Sequence, residues 1–153
     1  MKPRLDPYAA APQAFQAMLE LNKKVHDSGL EASLMELVKI RASQLNGCAY
    51  CLHMHTREAR AQGETEERLY LLSAWQESPL YTARERAALA WTEALTLVAQ
   101  TRAPDADYAA LREHFSEAEC VNLTLLIGVI NTWNRIAVGF RSVHPVAQRR
   151  DAA

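Results

Sequence analysis

The chain reads as an all-α fold of about six to seven helices. Three observations carry that reading: apolar residues recur at three- and four-residue spacing along most of the chain, three segments have the Ser/Thr-x-x-Glu form that opens helices, and no stretch alternates with a period of two. At 153 residues, 49% of them hydrophobic, the chain holds enough apolar material for one core and is short for two. A single domain over 1–153 is therefore expected.

Residues 1–11, with Pro3 and Pro7 and little periodicity, read as an N-terminal arm of the kind that packs on a neighbouring subunit. Phe15, Met18, Leu19 and Val25 mark a helix from Pro12 to Ser28, with Gly29 as its stop. Ser33 to Glu36 has capping-box form, and Leu34, Leu37, Val38, Arg41 and Leu45 then trace a mostly apolar stripe to Asn46-Gly47. A further helix runs from Ala49 to Gln62, ending at Gly63. Glu64, Glu66 and Glu67 suit the start of the next, which carries Leu69, Leu71 and Leu72 to Ser73 or Trp75.

After a loop containing Pro79, the Thr82 to Glu85 capping box opens a helix with Leu89, Trp91, Leu95 and Val98. Pro104 precedes a short segment from Asp105 to His114. The Ser116 to Glu119 capping box introduces the most apolar stretch, Val121 to Phe140, expected to be buried or to face another subunit. Asn122, Asn131, Asn134 and Arg135 interrupt it, which argues against a membrane span. Beyond His144-Pro145 the chain is expected to fray.

Formal net charge is -1 with both signs scattered, so neither a nucleic-acid track nor a membrane-surface patch is expected. Small molecules or proteins are the expected partners. The N-terminus lacks an apolar export region, so a cytoplasmic location is expected. In a reducing compartment, three cysteines do not make a structural framework, and attention falls on the closely spaced pair Cys48 and Cys51.

Gly47 ends one apolar run and Cys48 opens the next, which places both thiols at the first turn of a helix. Cys48, Cys51 and His55 then share one stripe, while His53 points elsewhere. A free cysteine of pKa about 8.5 is only about 3% thiolate at pH 7; a helix N-terminus and a nearby imidazole lower that pKa. A sulfenic acid formed on one thiol could condense with the other, three residues away, after some local adjustment of the backbone. Three plainer readings stand beside this one. The cysteines could be packed core residues, Glu36 could be only a helix-capping carboxylate, and Cys48, Cys51, His53 and His55 could ligate zinc. Four ligands from one helical stretch cannot surround a tetrahedral ion, so no metal is expected without donors from elsewhere. Cys120 reads as a packed core thiol, and Trp133, Asn134 and Arg135 as core or interface.

Glu36, Cys48 twelve positions on, Cys51 three further and His55 four further form E-x11-C-x2-C-x3-H. This pattern, with its Leu45-Asn46-Gly47-Cys48-Ala49-Tyr50-Cys51 setting, resembles alkylhydroperoxidase D (AhpD)-like proteins of the carboxymuconolactone decarboxylase superfamily, and the resemblance covers about residues 30–140, the implied core of the domain. The resemblance implies a thiol-dependent peroxidase in antioxidant defence. Cys51 would be the oxidised thiol, Cys48 the proton donor and its partner in a redox disulfide, and Glu36 and His55 the proton relay. It implies a peroxide substrate, a lipoylated or thioredoxin-like dithiol reductant protein, no haem, flavin or metal cofactor, and a homotrimer or homohexamer. Some members have a histidine where this chain has Tyr50. The alternatives are a disulfide reductase or redox sensor, cofactor-free decarboxylation or lactone chemistry as elsewhere in the superfamily, or a non-enzymatic metal-binding or assembly module.

Overall fold

A computed structural model describes residues 2–146, and among them every regular element is helical. In order these are α1 (Pro7–Ala10), α2 (Pro12–His26), α3 (Ala32–Leu45), α4 (Ala49–Ala61), α5 (Glu66–Leu71) continued by a 3-10 turn (Leu72–Ala74), α6 (Ala83–Thr96), α7 (Val98–Thr101), α8 (Asp105–His114) and α9 (Glu117–Phe140). The seven segments expected from periodicity are all present. The two additional helices, α1 and α7, are single turns of four residues, too short to show a hydrophobic period.

The architecture is built around α3. Eight of its fourteen residues are buried, so it has no solvent face of any width and behaves as a central core helix. Leu37 and Ile40 face a cluster with Ala59, Leu72, Trp75, Tyr81 and Leu89. Val38, Leu34 and Met35 face a second one with Val25, Trp91, Leu111, Phe115, Leu123 and Ile127. Each fully buried Leu, Ile or Val contributes on the order of 1.5–3 kcal/mol of transfer free energy, so α3, together with α9, supplies much of the core's stability.

Two of the three expected capping boxes form, at Thr82–Glu85 opening α6 and Ser116–Glu119 opening α9. The third does not. Helix α3 begins at Ala32 with Glu31 as its N-cap, which puts Ser33 inside the first turn and Glu36 one turn further along. Arg84 explains the early start: its guanidinium pairs with Glu31 at 2.8 Å and Glu119 at 2.6 Å, tying the first turns of α3 and α9 to α6. Glu36 is left free to turn inward.

The N-terminal arm folds back on its own chain. Asp6 caps α1 through the Tyr8 and Ala9 amides, and Pro7 occupies the first helical position. The Arg4 amide and guanidinium bond the Phe140 and Gly139 carbonyls at 3.0 and 2.9 Å, so the arm closes over the end of α9. Helix α9 is long and apolar enough to cross a membrane by length and composition alone. Its Asn131 and Asn134 nevertheless hydrogen-bond within the bundle, to Thr96 and Ser43. Val121, Leu125 and Val138 remain exposed on its outer face. Most of the stretch expected to fray beyond Pro145 lies outside the described residues.

Candidate active site

The site starts from the turn between α3 and α4. Gly47 adopts a left-handed conformation, with φ +64°, that an L side chain rarely takes, and this reverses the chain immediately before the first thiol. Asn46 fixes the turn from below. Its amide donates to Asn131 at 3.0 Å and Asn134 at 2.8 Å, and Asn134 in turn donates to Ser43. Asn134, kept apart from the site as a core residue, is 1% exposed and supports the turn without reaching the thiols' cavity.

Cys48 is the N-cap of α4. Its backbone is extended (φ -87°, ψ 92°), which is the local adjustment the pair needed, and its sulfur accepts the Cys51 amide at 3.3 Å. The two cysteines form a disulfide with Cα atoms 5.4 Å apart. Both are buried, together with Ala137 of α9. Only Cys51 of the two lines the large cavity beside the helix, of about 700 Å³.

His55 lies one turn beyond Cys51, is 6% exposed and lines the same cavity. Its Nδ1 is 3.0 Å from Glu36 Oε2 of α3 and also 3.0 Å from Glu58 Oε2 of its own helix. The Lys39 ammonium holds the other Glu36 oxygen at 2.7 Å. Burial pushes the Glu36 carboxyl up, but hydrogen bonds from His55 and Lys39, with their charges, outweigh it and hold the group below 4.5. Ionised at neutral pH, Glu36 can only accept, so Nδ1 of His55 carries the hydrogen and Nε2 is the ring nitrogen left to exchange a proton elsewhere.

All four residues expected from the sequence thus assemble, Glu36 being brought to His55 from a different helix. Two were missed. Lys39 is one turn from Glu36 and Glu58 one turn from His55, a helical spacing that could have indicated both. His53 stacks on His144, with ring centroids 4.7 Å apart, and takes no part. Cys120 is a buried free thiol at the Phe115 carbonyl. His53, one of the four residues the zinc reading needs, stacks on His144 and does not line the cavity that Cys51 and His55 share. Among the described residues, the group spaced to hold a metal ion is instead Glu36, His55 and Glu58, with ligand atoms within 4.8 Å of one another. Lys39 already neutralises one of those carboxylates, which weakens the case for a dication there.

The cavity has an apolar wall from Leu126, Val129, Ile130, Trp133, Ile136 and Phe140 of α9. Its mouth is formed by the arm and by Tyr50 and Met54 of α4.

The sequence profile of the carboxymuconolactone decarboxylase family matches residues 12–94, which include the Glu36, Cys48, Cys51 and His55 constellation. The chain belongs to the carboxymuconolactone decarboxylase family. Among family relatives, the uncharacterized protein YdfG of Bacillus subtilis is 44% identical over 138 residues, covering 90% of this chain and 94% of YdfG. A solved structure from Agrobacterium tumefaciens, the protein of unknown function ATU0492, provisionally assigned to antioxidant defence as an AhpD, superposes with a TM-score of 0.93. It is 51% identical, and the match covers 95% of this chain and all of that one. The debrominase Bmp8 shares the fold at 20% identity and TM-score 0.77, over 90% of this chain and 74% of its own. This member of the carboxymuconolactone decarboxylase family has an AhpD-like fold and carries a CxxC pair, Cys48 and Cys51, within a fold that the debrominase Bmp8 shares.

Proposed function

We propose that the protein is a dithiol peroxidase in which Cys51 is the attacking thiol and Cys48 closes the disulfide. The observation that supports this most is the placement of Cys51 and His55 on one cavity wall, with the imidazole Nδ1 held by Glu36 from the neighbouring helix.

His55 Nε2 takes the Cys51 proton. The thiolate attacks the terminal oxygen of a hydroperoxide, the O–O bond breaks, and the imidazolium returns the proton to the departing alkoxide, giving an alcohol and a Cys51 sulfenic acid. Cys48 attacks the sulfenic sulfur, and water leaves as the disulfide closes. A dithiol reductant then restores both thiols. The net reaction consumes one hydroperoxide and one dithiol and yields an alcohol, water and a disulfide. The apolar α9 wall of the cavity favours an organic hydroperoxide as substrate, and the partner would be a lipoylated or thioredoxin-like protein.

Peroxide-dependent oxidation of dithiothreitol by the wild type, Cys51→Ser and Cys48→Ser tests the assignment. Cys51→Ser should lose essentially all turnover, whereas Cys48→Ser, treated with peroxide after dithiothreitol has been removed, should consume one equivalent and stop at the Cys51 sulfenic acid. Peroxide consumption by Cys51→Ser at the wild-type rate would refute the role of Cys51. A second reading, dithiol–disulfide exchange without a peroxide step, is favoured by the same disulfide. It predicts rapid reduction of the pair with no peroxide consumed.

A further inference from the structure

Glu58 is the unusual member of the cluster. One imidazole nitrogen carries at most one hydrogen, yet two carboxyl groups approach Nδ1 of His55 at the same 3.0 Å. Their surroundings differ sharply: the Glu36 side chain is 5% exposed and the Glu58 side chain 48% exposed. One acceptor is buried at the cavity wall and locked to Lys39; the other is half exposed to solvent.

We propose that Glu58 is a positioning residue that exchanges protons between solvent and His55 when the Cys48–Cys51 disulfide is reduced. This rests on the dithiol chemistry of the preceding section and extends it.

The balance of that step shows the need. Oxidation of a dithiol to a disulfide releases two electrons and two protons, and reduction of Cys48–Cys51 takes up two of each. The reductant's thiolate attacks Cys51, the sulfur that lines the cavity, and Cys48 leaves as a thiolate. The second reductant sulfur then attacks the mixed disulfide and expels Cys51, also as a thiolate. Protons released by the reductant enter solvent, and the two thiolates left behind, Cys48 at 1% and Cys51 at 2% exposure, take up one proton each through a neighbour, Cys48 by way of Cys51. His55 is that neighbour, and Glu58 is its half-exposed contact. The charged and titratable groups around the imidazole are Glu36 and Lys39 from α3 and Cys51 and Glu58 from α4, with Asp6, Tyr8, His26 and Tyr50 on the cavity wall.

The test uses the full chain in its disulfide form, reduced by dithiothreitol in dilute buffer, with thiols counted after rapid quenching. Glu58→Gln should slow reduction about tenfold. Rising concentrations of imidazole should restore the rate, because a small diffusing acid can occupy the exposed position. Glu36→Gln, altered at the buried position that Lys39 also contacts, should not be rescued. Glu58→Asp, which keeps a shortened carboxylate, should fall between wild type and Glu58→Gln and supplies the result if Glu58→Gln folds poorly by circular dichroism. A wild-type rate for folded Glu58→Gln in dilute buffer, or a loss that imidazole does not relieve, overturns the proposal. Peroxide consumption is followed in parallel: a wild type that is reduced by dithiothreitol but consumes no peroxide refutes the peroxidase reading and leaves the Glu58 comparison intact.

Discussion

At the scale of single residues, the site depends on a buried carboxylate kept ionised. The Glu36 carboxyl is held below 4.5 in the folded chain, against the ordinary 4.5 of an exposed glutamate, so the folded state binds its proton less tightly than the unfolded state. Its contribution to stability is complete above pH 4.5 and is lost as pH falls through the lower folded value. Glu36→Gln should cost about 1–3 kcal/mol at pH 7, since it leaves the half-sealed Lys39 ammonium without its counter-charge. Urea denaturation of the two proteins at a series of pH values checks this, and the gap between them should close below pH 4.5. A gap independent of pH would mean that the charge of Glu36 contributes nothing. Under the proposed function, overnight chelation should leave peroxide turnover unchanged, and loss restored only by added zinc or iron would reassign Glu36, His55 and Glu58 as ligands. The four residues of this site were legible in sequence because the chemistry demands specific residue types at fixed offsets. Glu58 and Lys39 were not, because charged residues one helical turn from other charged residues are also the usual dress of a solvated face.

At the scale of elements, the helix starts show why pattern alone misleads. Ser33 and Glu36 have the same form as Thr82 and Glu85 or Ser116 and Glu119, but only the latter pairs cap. What differs is tertiary: Arg84 draws Glu31 toward α6, and a buried histidine competes for Glu36. The single turns α1 and α7 escaped notice because four residues contain barely one period. At the start of α9, Glu119 is held down to about 2, first by its hydrogen bond to the Ser116 amide and then by Arg84. That folded value lies below the ordinary 4.5, so the box stabilises fully above pH 4.5 and weakens as pH falls toward about 2. Ser116→Ala removes the reciprocal cap and should cost about 1 kcal/mol at pH 7. Thermal unfolding at pH 7 should reveal the difference, and an unchanged midpoint would show that Arg84 alone holds this helix end.

At the scale of the whole molecule, the fold brings the paired Glu36 and His55 and a cavity with an apolar α9 wall to Cys51, one of the two joined sulfurs. Helix α3 supplies Glu36 and Lys39 from the core, α4 supplies the thiols and His55, and α9 supplies the apolar wall. The arm closes this assembly through Arg4 on the last carbonyls of α9 and through Tyr8 on Phe15, whose ring in turn meets Trp133. Leu5 and Tyr8 are about half exposed, so little burial is lost if the arm is removed, whereas one rim of the cavity is. Deleting residues 2–8 should therefore lower the melting temperature by only a few degrees, given about 4 °C or less per kcal/mol in a domain of this size. The functional effect should depend on substrate. A bulky organic hydroperoxide such as cumene hydroperoxide gains its binding from apolar contact and should show a several-fold higher KM, while hydrogen peroxide, which uses none of that wall, should keep its rate. Equal loss with both peroxides would mean that the arm supports the thiols themselves and that the cavity does not select the substrate.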